Sequence, residues 1–135
     1  MPNVFVDTNI LVYAAAEFTP IQRKTAIARE LLLLPGIHFS LQVLNEFVAV
    51  SRSAKLNLPP DREQRWLEAC LLRPVTSLST RTFLAALSIH SRYGIPHWDS
   101  LIVASAKESL CPTLYSEDLT HGQNYDGVTV SNPFL

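Results

Sequence analysis

Short apolar runs rich in β-type residues recur at Val4 to Val6, Ile37 to Phe39, Pro74 to Thr76, Thr113 to Tyr115 and Val128 to Val130. The stretches between them are longer and space their apolar residues as helices do. Strands alternating with helices predict a parallel sheet covered by helices on both faces, an α/β fold. Thr19-Pro20 predicts a helix start, with a capping residue before a proline at the first helical position. Pro60-Asp61 predicts another, where Gln64 completes a capping box, and Ser40 and Ser79 can cap two more. Leu56 to Pro60 reads as a turn between helices, and Arg92 to Pro96 ends one helix before the next begins. The apolar run Leu31 to Leu34 is assigned to the core.

Four acids stand at informative places in this pattern. Asp7 ends the first apolar run, in Val4-Phe5-Val6-Asp7-Thr8-Asn9, and Asp118 follows the fourth, in Thr113-Leu114-Tyr115-Ser116-Glu117-Asp118. Glu46 falls in the second turn of a helix starting near Leu41, and Asp99 in the first turn after Pro96. In right-handed βαβ units helices start at the carboxyl edge of the strands, where open α/β sheets bind ligands. All four acids are therefore expected in one crevice. Glu46 keeps step with Val43, Phe47 and Val50, and Asp99 with Ile102, Val103 and Ala106, so both lie on apolar stripes. A carboxylate placed there costs several kcal/mol unless it is compensated. The basic residues cluster elsewhere, at Arg23-Lys24, Arg52 to Lys55, Arg62 to Arg65 and Arg73, so a divalent metal is the simplest remedy. An all-oxygen set suits Mg2+ or Mn2+, and such ions promote phosphodiester hydrolysis. Taken singly, each acid also has a plain reading: a helix cap for Asp7, an arginine partner for Glu46, the helix dipole for Asp99 and a turn for Asp118.

Composition narrows the setting. The 135 residues fit one domain, 1–135. Every apolar run is far short of the roughly 20 residues of a membrane span. The Met1-Pro2-Asn3-Val4 start has no basic segment of a secretory signal, so a soluble, cytoplasmic protein is expected. A net charge of -1 gives no global pull on a polyanion, leaving any attraction to the site or a local patch. Cys70 and Cys111 lack metal spacing and read as free, buried thiols. The four histidines show no metal spacing; His97-Trp98 reads as a helix start shielding Asp99. Arg52 and Lys55 read as a solvated face that could also touch a phosphate backbone. No glycine-rich phosphate loop or Ser-His-Asp order is present.

At this point the sequence resembles a known family. Val4 to Tyr13, the helical Gln42-Val43-Leu44-Asn45-Glu46-Phe47, Trp98 to Ala106 and Tyr115 to Gln123 look like the PIN-domain ribonucleases, and more narrowly the VapC toxins of bacterial toxin-antitoxin pairs. The likeness runs from Val4 to Phe134, with four motifs in order at matching intervals. It implies a Rossmann-like α/β/α sandwich with a central parallel sheet and a Mg2+- or Mn2+-dependent endoribonuclease. By the same likeness Asp7, Glu46 and Asp99 match the principal catalytic and metal-holding acids, and Asp118 the fourth, with Glu117 the alternative beside it. Thr8, Asn9 and Ser116 match supporting polar positions. The family also implies an RNA substrate, a homodimer and a cognate VapB-like antitoxin whose tail enters the acidic groove. Two other functions stay open: a non-catalytic module that binds RNA or antitoxin, and an aspartate-nucleophile phosphatase. The phosphatase chemistry usually places a second Asp two residues after the first, where this chain has Asn9.

Overall fold

The sheet is laid around β1 (Val4–Val6). In the computed structural model, which describes residues 2–17 and 19–135, β1 lies between β2 (Ile37–Ser40) and β4 (Thr113–Tyr115) and runs parallel to both. Beyond β2 lies the parallel β3 (Val75–Thr76), and beyond β4 the parallel β6 (Val128–Ser131). A short strand that the apolar pattern does not announce, β5 (Asn124–Tyr125), adds an antiparallel edge, giving the order β3-β2-β1-β4-β6-β5. Its cause is local: Asp126 and Gly127 both take positive φ, 53° and 99°. Such a two-residue turn matches the right-handed twist of the strands and folds one back on the other.

The α-helices of the described residues are α1 (Thr8–Ala15), α2 (Gln22–Leu32), α3 (Leu41–Ser51), α4 (Pro60–Leu71), α5 (Thr80–Tyr93) and α6 (His97–Glu108). Ser40 caps α3 through Val43 N–H, and Ser79 with Thr82 forms a full capping box on α5. Gly94, at φ 71°, ends α5 as the sequence suggests. Two starts differ from expectation. At Thr19-Pro20 a 3-10 turn, Thr19–Ile21, comes first and α2 begins only at Gln22; the side chain of Thr19 lies outside the described residues. On α4 the cap position is Pro59 and Pro60 is the first helical residue, so no side chain caps the helix and the expected box is absent. Gln64 bonds Glu68 instead, while Asp61 and Glu63 in the first turn complement the helix dipole.

The chain steps from β1 to β2 to β3 in one direction, then returns across β1 to β4. Right-handed crossovers therefore put α1 to α4 on one face and α5 and α6 on the other. Between the layers lie Phe5, Val6, Ile37 and Leu114 from the strands, with Ile10, Phe47, Ile102 and Val103 from the helices. Cys70 and Cys111 are free and buried, and burial pushes both thiols up to about 11, so neither is a ready nucleophile. The Leu31 to Leu34 run is not core throughout. Leu32 packs on the core, but α2 stops there and Leu33, at 80% exposure, and Leu34 turn outward. No helix of the described residues is long and apolar enough to cross a membrane.

Candidate functional site

The reversal of strand order falls between β1 and β4, and the carboxyl ends of these two strands open a crevice there. Asp7 leaves the end of β1 and caps α1, its Oδ1 accepting from Thr8 N–H at 2.7 Å. Its Oδ2 accepts from the Ser116 hydroxyl, at 2.7 Å, just past the end of β4. The cap reading and the site reading of Asp7 thus describe one side chain. Next to it the Asn9 amide is pinned, its oxygen accepting from Glu117 N–H and its nitrogen donating to Asp118 Oδ2 at 3.1 Å and to Asp7 Oδ2 at 3.5 Å.

Glu46 approaches from α3. Thr8 Oγ1 donates to its Oε2 at 3.0 Å, and Gln42, one helical turn earlier, donates to its Oε1 at 2.8 Å. The same Gln42 amide also donates to the Trp98 carbonyl, tying α3 to the start of α6, which carries the half-buried Asp99. Thr8, Asn9 and Ser116 are therefore found in contact with the acids they were expected to support. Gln42 was not anticipated, although a polar residue four positions before Glu46 on the same helical face was a readable signal.

The charges are unbalanced. Every side chain hydrogen-bonded to Asp7, Glu46 or Asp118 is neutral, and among the described residues none of the four acids forms an ion pair. Burial pushes the Asp7 carboxyl up to about 6, further helped by the charges of Asp118 and Glu46 and only partly offset by Ser116 and Thr8. Asp99 is raised as well, by burial first and then by Asp118 and Glu46. Glu117 is different. Burial pushes it up, but hydrogen bonds from Lys24 and Tyr13 outweigh this and leave it below its ordinary value. Lys24, which the sequence placed away from the acids, thus reaches the rim of the crevice and is spent on Glu117 together with the Tyr13 hydroxyl. Asp118, exposed and bonded to Asn9, is the acid that faces the others.

The donor set is all oxygen and net negative, with no ion pair to any of the four acids among the described residues, which fits a hard divalent ion. Among the described residues no three acids are gathered closely enough to hold an ion as they stand. The acids are instead linked in pairs through shared neutral residues, Asp7 and Glu46 through Thr8, and Asp7 and Asp118 through Asn9. Arg52 is not free for a phosphate, because it grips Glu63 at 2.8 Å. Lys55, by contrast, lines a groove with Thr8, Asn9, Glu46 and Asp118.

Comparison with known proteins gives this arrangement its family. A profile of the PIN domain matches residues 4–123. The chain belongs to the PIN domain family. Solved PIN-fold structures resemble it over nearly their whole length. A toxin-antitoxin complex from Klebsiella pneumoniae superposes with a TM-score of 0.73 at 20% identity, covering 97% of this chain and 98% of that one. DNA-bound VapBC from Salmonella typhimurium gives 0.69 at 18%, covering 98% and 99%. VapC20 of Mycobacterium tuberculosis, described as a sarcin-ricin loop cleaving toxin, gives 0.66 at 16%, covering 86% and 90%. A search of curated proteins found no match. The fold expected from the sequence, a PIN domain with a mostly parallel sheet flanked by helices, is the fold observed.

Proposed function

We propose that this PIN domain is a metal-dependent endoribonuclease, the toxin of a VapC-type toxin-antitoxin pair, acting on RNA in the cytoplasm. The observation that carries the reading is the set Asp7, Glu46, Asp99 and Asp118 at the β1/β4 switch, with Asp7, Glu46 and Asp118 bonded only to neutral groups and Asp99 near the charges of Asp118 and Glu46. The toxin-antitoxin structures that share the fold, one of them described as cleaving the sarcin-ricin loop, support the substrate class. Mg2+ or Mn2+, held by these four acids, would supply positive charge to a phosphate oxygen and acidify a water for in-line attack.

The chain's own residues do the rest. Ser116 and Thr8 fix the two oxygens of Asp7, Gln42 and Thr8 fix those of Glu46, and Asn9 holds Asp118. The carboxylates are thereby held at the crevice. Lys55 offers a positive charge to the phosphate backbone alongside. An antitoxin would silence the site by placing an arginine among the acids, and Phe83, Leu84 and Leu87, exposed together on α5, give a homodimer its apolar face.

Purified protein free of antitoxin is expected to cut RNA with Mg2+ or Mn2+ and to stop in EDTA. Asp99→Asn should lower the rate by at least about a hundredfold, the scale of losing one transition-state electrostatic contact. Undiminished cleavage by this variant, or RNA binding without cleavage at any metal concentration, would overturn the reading, the second outcome in favour of a binding module.

A further inference from the structure

Trp98 is 63% exposed, an unusual place for the largest apolar side chain, and it stands one residue from Asp99. It is also held. The His97 ring packs edge-on against it, with centroids 5.7 Å apart, and Phe83 of α5 packs edge-on against His97 at 6.0 Å. Its backbone carbonyl accepts from Gln42, the residue that orients Glu46. An exposed indole fixed through backbone and ring to the same scaffold as two site acids is a preorganised surface.

That surface faces an open cleft of about 810 Å3, whose walls include Leu41, Asn45, Glu46, Leu78 and Trp98. Leu41 and Leu78 are also exposed, so the cleft is largely apolar, and such exposed patches mark binding surfaces. A second groove, with Lys55, lies on the other side of Glu46, which is a wall of both. One side of the acid site therefore offers a cation and the other an aromatic plate. A nucleic acid single strand has the matching duality, with phosphates for the cation and bases for the ring.

We propose that Trp98 is a base-stacking residue: the Trp98 cleft takes one unpaired nucleobase flanking the phosphate held at the acids. The inference rests on the ribonuclease reading and names a binding subsite for it. Leu41 and Leu78 would enclose the stacked base, and its ribose-phosphate would pass over Glu46 toward Lys55.

Two measurements test it, one of them independent of turnover. In a Trp66→Phe, Asp99→Asn background with Mg2+, Trp98 is the sole tryptophan, and a short single-stranded oligoribonucleotide should quench its fluorescence saturably, whereas the same sequence in a duplex should not. In the active protein, Trp98→Ala should raise KM for the single strand roughly 5- to 100-fold, the range of stacking losses on alanine substitution, with kcat changed less than about threefold. Trp98→Phe should restore most of the loss. An abasic nucleotide on one side of the cleaved bond should weaken the wild type equally and add nothing to Trp98→Ala. Absence of quenching together with an unchanged KM, while the wild type still cuts RNA, overturns the stacking proposal and leaves the nuclease standing; failure of the wild type to cut RNA at all instead removes the reading beneath it. Quenching by an arginine-containing apolar peptide but not by RNA would assign the cleft to a protein partner and also overturn the proposal.

Discussion

Asp7 shows how one side chain serves two masters. It is only 5% exposed, and its two oxygens are used for a helix cap and for Ser116, yet its carboxyl is raised from 3.8 to about 6 because burial outweighs those bonds. Between these two values the folded protein keeps a proton that the unfolded chain has released. The stability linked to Asp7 is therefore fully present below the ordinary carboxylate value and lost as pH rises through about 6. The loss amounts to about 3 kcal/mol, since each unit is worth about 1.4. In EDTA, the stability of Asp7→Asn relative to wild type, followed by urea unfolding from pH 4 to pH 8, is expected to rise by about that amount. A pH-independent difference would remove this account of Asp7. Residue identity alone could place Asp7 and Asp118 after strands, but it could not separate Asp118 from Glu117. In the structure Lys24 and Tyr13 arrive from α2 and α1 to occupy Glu117, while Asp118 bonds Asn9.

Elements bring the acids to the site, and their ends decide how firmly. Ser40 closes β2 and caps α3 through a 3.2 Å bond to Val43 N–H, so it fixes the first turn below Glu46. Ser40→Ala is expected to cost about 1 kcal/mol of stability, the ordinary worth of a lost cap, measurable as a lower urea midpoint at unchanged slope. The caps at Ser40 and Ser79 were legible because their chemistry is contained in three or four consecutive residues. The box expected at Asp61 failed because two prolines, Pro59 and Pro60, take the cap and first helical positions ahead of it. The outward turn of Leu33 was invisible for another reason: a leucine run reads as core until the helix end that rotates it away is known. The edge strand β5 was too short for an apolar pattern, although its Asp126-Gly127 turn was readable.

Across the whole molecule, β1 lies between β2 and β4, and this single choice of neighbours brings Asp7 beside Ser116 across 109 positions of sequence. It also leaves α5 and α6 on a face of their own, with Phe83, Leu84 and Leu87 exposed. If that face joins two copies, wild-type protein should elute as a dimer on size exclusion with light scattering, and Leu84→Glu as a folded monomer at the same concentration. A monomeric wild type at tens of micromolar would remove the homodimer from the proposed function. The sequence by itself determined every strand but β5, most helix starts and the acids' positions at element ends, because periodicity, caps and strand termini are local properties. Only the tertiary structure decided which donors each carboxylate meets, that Lys24 is spent on Glu117, and that Trp98 stands open beside Glu46. Those outcomes depend on the packing of elements far apart in the chain, where distance in sequence carries no record of distance in space.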